Sequence, residues 1–376
     1  MTQGKDVLLV TTDLLGNSIS GLLQDFQTQH PSLEIHIIPN NSSPSSLPSD
    51  ILIRTKYIIG FNNFPEPSLV PNLSYVQLFS AGSNHLHSHP LWNDTTNPSV
   101  KWCSASGVHG PIIAEYVIMA ILTHQHRYLS SIQSFQRVGH WPVNWPGDSF
   151  GPRRELYGKT VGIVGYGAIG RNIARLLTGF GVSVVTLNST RKVAPEEKRQ
   201  RDDYTVPGTG DVNGEIPMTW YSSSDKQEKA EFFKRSDIVV VTAPFTPTTK
   251  HLINCESLKQ MKPTSLLINI ARGELIDQEA LVTALQTHEI GGVALDVFTP
   301  EPYPSTGPLL TFNSEEDLDR VILTPHISGH TDQYALRIID ILTQNFHRLQ
   351  HKLPLLNLIN KTKGVLIRFP SNSFNQ

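Results

Sequence analysis

Short apolar runs recur along the chain, separated by amphipathic stretches or by polar, Pro- and Gly-rich segments. In the first third, Asp6–Thr12, Glu34–Ile38, Ile51–Ile53, Tyr57–Ile59 and Tyr75–Phe79 read as strands, and Lys101–Ser104 ends the series. Asn17–Gln29 reads as a helix with Ile19, Leu22, Leu23 and Phe26 on one face, and Pro39–Asp50 as a surface loop rich in Ser, Pro and Asn. These strand candidates interleave with helices. That pattern predicts a parallel α/β sheet. A long helix is expected from about Pro111 to Gln136, with Ile113, Val117, Ala120, Ile121 and His124 near one face and Pro111 in a first turn. It is long enough to bridge two domains. Val138–Arg154, which contains Trp141 and Trp145, is too rich in Trp, Pro and Gly for a regular element.

A second series follows. Thr160–Val164, Ser183–Leu187, Ile238–Val241, Ser265–Asn269, Gly292–Asp296 and Val321–Leu323 read as strands, and Ala168–Thr178 as an amphipathic helix. Arg191–Glu231 is longer and more polar than an ordinary connection, so it reads as an insertion, mostly loop, with a helix from about Asp225 to Lys234. A last helix, Ala335–Leu349, follows the final strand and is expected to return to the first domain.

Composition narrows the functional classes. A length of 376 residues suits two domains. The net charge of −2 and pI of about 6.7 give no bulk basic field for nucleic acid or a membrane surface. Cys103 and Cys255 lie far apart, with no disulfide or metal spacing, which fits a reducing compartment. The N-terminus shows no basic region before an apolar core, and no apolar run is long enough to span a bilayer; a cytoplasmic location is the expectation. His85, His87 and His89 alternate, and His124 and His126 follow, yet no Cys or carboxylate clusters with them, so no metal is expected.

The densest chemical signal is YGKTVGIVGYGAIGR, Tyr157–Arg171. Gly165, Gly167 and Gly170 have the spacing G-x-G-x-x-G between a strand and a helix. The first glycine allows a tight turn, the second lets a pyrophosphate approach the backbone, and the third lets helix and strand pack closely. The helix N-terminus then offers free N–H groups to the phosphates. Such sites normally carry an acid about twenty residues further on, which binds the ribose hydroxyls. Here the second strand runs out into Asn188, Ser189, Thr190, Arg191 and Lys192, without a carboxylate. Small polar side chains and two cations suit a 2′-phosphate, so NADPH is expected over NADH. Arg191 and Lys192 also read as a solvated surface pair.

Three later stretches each follow a strand: Asn269–Glu274 with Arg272, Asp296–Pro302 with Glu301, and Thr324–Gly329 with His326. Ligands bind beyond the carboxyl ends of such strands, so Arg272, Glu301 and His326 form a candidate acid/base set. Taken singly they read as a surface cation, a loop carboxylate and a helix cap.

With GIVGYGAIG, VTAPFTPTTKHLIN, NIARGELID, ALDVFTPEP and LTPHISG in place, most of the chain resembles the D-isomer-specific 2-hydroxyacid dehydrogenases, in particular the NADPH-using glyoxylate/hydroxypyruvate reductase-like branch. SAGSNHL (Ser80–Leu86) and GVHGPIIAEY match more loosely. The resemblance implies two Rossmann-like, doubly wound α/β domains with a substrate cleft between them. It implies a discontinuous substrate domain, residues 1–125 and 331–376, a dinucleotide domain, residues 126–330, and a homodimer. The implied reaction is reversible reduction of a small 2-oxo acid to a D-2-hydroxy acid.

Carried over motif by motif, Arg272 binds the substrate carboxylate and polarises the 2-oxo group. His326 is the general acid, and Glu301 orients it and favours its protonated form. Gly82 and Ser83 offer backbone N–H groups to the carboxylate. Asp296 holds the nicotinamide carboxamide, Ala243 and Pro244 line the cofactor, and Ala168 and Ile169 meet the pyrophosphate. The matching motifs also bring Thr249, Ile270, Ala271, Ser328 and Gly329 into the cofactor site. The AGS turn and the Arg191–Glu231 insertion depart from the family pattern. A dinucleotide-sensing interaction protein on the same fold, like the co-repressor relatives, is the competing expectation.

Overall fold

The structure, a computed structural model, describes residues 4–11, 18–39, 42–139, 153–200, 203–314, 317–361 and 365–366. Trp141 and Trp145 lie outside the described residues, as do Thr12 and Asn17 at the ends of expected elements. The chain divides into two compact units: Met1–Val108 with Arg201–Val206 and Thr331–Gln376, and His109–Gln200 with Pro207–His330.

The first unit carries five parallel strands: β1 Asp6–Thr11, β2 Leu33–Ile38, β3 Thr55–Gly60, β4 Tyr75–Leu78 and β5 Lys101–Cys103. Their order is β2-β1-β3-β4-β5, so the sheet is doubly wound from β1. Val7, Leu8, Leu9 and Val10 are wholly buried, because both faces of the sheet are covered. On one face lie the helices Ser18–Gln29 and Tyr334–Gln350; the latter is the returning C-terminal helix. Ile51–Ile53 is not a strand. It lies in the helix Ser49–Arg54, which starts after Pro48 and has Asp50 in its first turn and Arg54 in its last. Both charges suit the helix dipole, and so short an apolar run does not reveal its period. The expected loop before it contains a 3₁₀ turn, Pro44–Ser46.

The second unit carries seven parallel strands in the order β12-β11-β10-β9-β6-β7-β8. They are β6 Thr160–Val164, β7 Ser183–Asn188, β8 Thr219–Ser222, β9 Ile238–Val241, β10 Leu266–Asn269, β11 Gly292–Leu295 and β12 Val321–Leu323. The strand order reverses between β6 and β9, which is where a doubly wound sheet opens a ligand crevice.

The long expected helix is broken. It runs Gly110–His126, stops at Arg127 with φ +51°, and resumes as Tyr128–Ile132 and a π turn Gln133–Arg137. Buried Asp319 explains the restart, since it accepts hydrogen bonds from the N–H groups of Leu129 (2.8 Å) and Ser130 (3.3 Å). Gly110–His126 packs on the helix Ala168–Thr178 within the second unit. A Cβ on Gly110 would lie 2.5 Å from Asn172 Nδ2. The boundary therefore falls after Val108, not at residue 125. The insertion is more ordered than expected. It contributes β8 as an edge strand, a short helix Pro195–Lys198, and the helix Lys226–Arg235, capped by Asp225.

Candidate active site

The glycine turn has the geometry its spacing predicts. Gly165 has φ +89°, and a Cβ there would lie 2.8 Å from the Cα of Ala243. Gly170 lies against the Gly165 carbonyl, 2.6 Å from an added Cβ. Gly167 caps the helix Ala168–Thr178, and a Cβ on it would meet nothing within 4 Å. The space beside Gly167, at the N-terminus of that helix, is thus open, and the turn fits a pyrophosphate. Ala243, Ile270 and Ala271 are buried at the ends of β9 and β10. Thr249 Oγ1 donates to the Pro244 carbonyl (2.9 Å) and accepts from Thr246 N (2.8 Å), closing the turn after β9.

The residue between the first two glycines, Tyr166, is a finding the motif did not announce. Its buried hydroxyl donates to Asp211 (2.7 Å), and the Arg171 guanidinium lies 4.8 Å above its ring. Asp211 also accepts from the N–H groups of Gly214, Glu215 and Ile216. Burial, followed by the bond to Asp211, pushes the Tyr166 phenol well above its ordinary range. The insertion is thereby fastened to the glycine turn.

At the end of β7, Asn188 Oδ1 accepts from Tyr166 N (3.1 Å). Ser189 and Thr190 are exposed, and Lys192 is half-buried. Arg191 is 65% exposed and pairs with Glu228 at 2.9 Å, so it is a surface cation with a carboxylate partner. Sequence reasoning missed Glu228 because it comes from another element, 37 residues away.

The candidate acid/base set stands at the ends of β10, β11 and β12, which are neighbours in the sheet. Asn269 shapes the first turn by accepting from Ala271 N (3.0 Å) and donating to the Arg272 carbonyl (2.9 Å). Gly273 fits because a Cβ there would lie 2.1 Å from the Phe298 carbonyl. Arg272 is exposed, donates to the Ala271 carbonyl at 2.6 Å, and is in no ion pair among the described residues. Glu301 uses both oxygens: Oε1 accepts from Phe298 N (2.8 Å), and Oε2 lies 2.8 Å from His326 Nδ1. A carboxylate only accepts, so Nδ1 carries the hydrogen, and Nε2 is the ring nitrogen that this pair leaves unused.

His326 has φ +55°, which needs a firm framework. Wholly buried Asp296 supplies it, accepting from Thr324 Oγ1 (2.6 Å), Ile327 N (2.9 Å) and Ser328 N (2.8 Å). Since Thr324 donates to Asp296, the Tyr116 hydroxyl must donate to Thr324 (2.6 Å). Burial pushes the Tyr116 phenol up to about 12. The Gly329 carbonyl meets His109 Nδ1 at 3.2 Å. A cavity of about 620 Å³ adjoins the pair, with Phe298, Tyr303, Leu310 and Leu323 as apolar walls.

In the first unit, the Ser80 hydroxyl donates to the Gly82 carbonyl at 2.6 Å, and Ser83 is buried. Three of the five histidines weighed for metal have other contacts: His85 stacks on Phe61, His89 accepts from Leu91 N, and His124 donates to the Asp319 carbonyl (2.7 Å). Among the described residues no group of three His, Cys, Asp or Glu is placed to hold a metal ion, and no helix is long and apolar enough to cross a membrane.

The sequence profile of the D-isomer specific 2-hydroxyacid dehydrogenase NAD binding domain matches residues 118–207 and 218–328, more than half of the chain. The chain belongs to this family. It is therefore an oxidoreductase that interconverts a 2-oxo acid and a D-2-hydroxy acid with a nicotinamide dinucleotide. A glyoxylate reductase of Thermofilum pendens is 34% identical over 73% of this chain and 71% of its own. A glyoxylate reductase of Pyrococcus furiosus is 34% identical over 68% and 67%. A family member from Xanthobacter autotrophicus, solved with NADPH and MES, shares the fold (TM-score 0.71, 23% identity, 96% of this chain and 99% of that one). So does an NADPH-dependent glyoxylate/hydroxypyruvate reductase of Sinorhizobium meliloti (TM-score 0.71, 21% identity, 96% and 100%). The enzyme reading displaces the co-repressor-like one.

Proposed function

We propose that this dehydrogenase reduces a small 2-oxo acid of the glyoxylate or hydroxypyruvate type with NADPH, using Arg272, Glu301 and His326. The observation that carries the proposal is the 2.8 Å His326–Glu301 pair at the end of β12, two strands from an exposed Arg272. The nicotinamide supplies the hydride. The Arg272 fork binds the substrate carboxylate and polarises the 2-oxo group. His326 gives the Nε2 proton to the ketone oxygen while Glu301 keeps Nδ1–H, so the ring stays aligned as it becomes neutral. In the oxidative direction the same nitrogen takes the proton back. Asp296 holds the His326 turn and, in this reading, also meets the nicotinamide carboxamide. For NADPH, the support is the missing acid at Asn188–Lys192 and the two cations there. A homodimer in the cytoplasm completes the reading, and sedimentation and cell fractionation test that part.

The decisive assay follows NADPH absorbance with glyoxylate, hydroxypyruvate, phenylpyruvate and branched 2-oxo acids. Turnover is expected on the small acids. Bound nucleotide without turnover on any of them would end the proposal. His326→Ala should lower kcat by about 10²–10⁴ with little change in KM, the usual range for a general acid. Arg272→Ala should damage KM and kcat together.

A further inference from the structure

Arg191 is the cation best placed by sequence to meet a 2′-phosphate, yet Glu228 already holds it at 2.9 Å. Glu228 is itself fixed. It lies in the first turn of the helix Lys226–Arg235, its other oxygen accepts from Ser222 N at 2.7 Å, and its side chain is only 20% exposed. Ser222 pairs in register with Asn188, the last residue of β7, and its hydroxyl donates to the Ser189 carbonyl at 3.3 Å. The carboxylate is therefore built into the ribose end of the nucleotide crevice. It comes from the insertion and not from the end of β7, where such an acid ordinarily sits.

We infer that Glu228 is a specificity-determining residue: it restrains Arg191 and moderates the preference for NADPH over NADH. The inference rests on the reading of Arg191 as a ligand of the 2′-phosphate. An exposed ion pair is weak, so a phosphate with nearly two negative charges can displace the single carboxylate from the guanidinium. NADPH therefore binds at the cost of opening the pair. NADH has no 2′-phosphate and leaves the pair closed. Glu228 acts through Arg191, so it is a positioning residue and not a catalytic one.

The experiment measures dissociation constants of NADPH and NADH by nucleotide fluorescence, without substrate. The proteins are wild type, Glu228→Gln, Arg191→Ala and the double variant. Glutamine keeps an oxygen for Ser222 N, so the fold is retained, and melting temperature checks this. Glu228→Gln should tighten NADPH about fivefold, the upper end for a surface ion pair, and leave NADH within about twofold. In the double variant the gain should vanish, because it runs through Arg191. An unchanged NADPH/NADH ratio in Glu228→Gln would overturn the inference. Weakened NADH with no gain for NADPH would overturn it too, because Glu228 would then be a ligand of the ribose hydroxyls. Failure of the underlying reading looks different: Arg191→Ala alone would leave NADPH affinity unchanged.

Discussion

Gly165 and Gly167 belong to one motif, but the structure separates what each does. Gly165 adopts φ +89° against the backbone of Ala243, so a side chain there is both strained and crowded. Gly165→Ala should cost at least about 1–3 kcal/mol of stability, the range for a left-handed non-glycine residue. Gly167 faces open space and has φ −88°. Gly167→Ala should fold with an unchanged melting temperature and lose nucleotide affinity, since its methyl group would stand where the pyrophosphate approaches. Calorimetry and fluorescence titration distinguish the two. If Gly167→Ala bound NADPH normally, the assignment of that open space to the pyrophosphate would be wrong. At this scale the sequence was informative, because strand, glycine spacing and helix are local. It did not reveal the partner of Arg191, because Glu228 comes near only after β7 and β8 have paired.

The proposed chemistry lies on the turns after β10, β11 and β12, and each is shaped by a polar side chain. Asn269 shapes the Arg272 turn, Glu301 ties its own loop to His326, and Asp296 holds the His326 turn from the neighbouring strand. The chain Tyr116 to Thr324 to Asp296 extends this hold to the helix Gly110–His126. Thr324→Val keeps the shape and removes the hydroxyl at its centre. We expect a stability loss of about 1–3 kcal/mol, because Tyr116 and Asp296 each lose a buried partner. A several-fold lower kcat should accompany it, with the nucleotide dissociation constant unchanged. Normal kcat in a destabilised variant would show that His326 does not depend on this chain of hydroxyls. The placement of Arg272, Glu301 and His326 beyond three strand ends was legible because each follows a short apolar run in the sequence. Tyr116 was not, since its helix read only as an apolar face with a polar edge. The same pattern reading failed at Arg127, where the break depends on Asp319, far along the chain.

For the molecule as a whole, the two sheets and the return of the last helix were legible, because apolar runs and helical periodicity persist over many residues. The insertion was not, because its polar composition hid the few residues that anchor it. Arg201–Val206 leaves the second unit by contact and joins the first, and Tyr204 is its anchor. The Tyr204 ring is 2% exposed within the core that also contains Tyr75, Phe79 and Ile338. Its hydroxyl donates to Asp340 at 2.7 Å, and its N–H donates to Asn357 Oδ1 at 3.0 Å. Gly107, with φ +94°, admits its carbonyl so closely that a Cβ would lie 1.9 Å away. Burial, ahead of the Asp340 bond, drives the phenol well above its ordinary range, so it stays neutral and donating at any physiological pH. Tyr204 therefore serves as a core residue of the first unit although its neighbours in sequence belong to the second. Tyr204→Phe should cost about 1 kcal/mol for the lost hydrogen bond, and Tyr204→Ala about 3–5 kcal/mol for the emptied core position. Urea unfolding gives the magnitude, and hydrogen exchange locates it. Protection should fall first in β1, β4 and β5, while β6 and β9 keep theirs. If Tyr204→Ala left exchange in β1, β4 and β5 unchanged, the first unit would be complete without the insertion, and its crossing would need a different explanation.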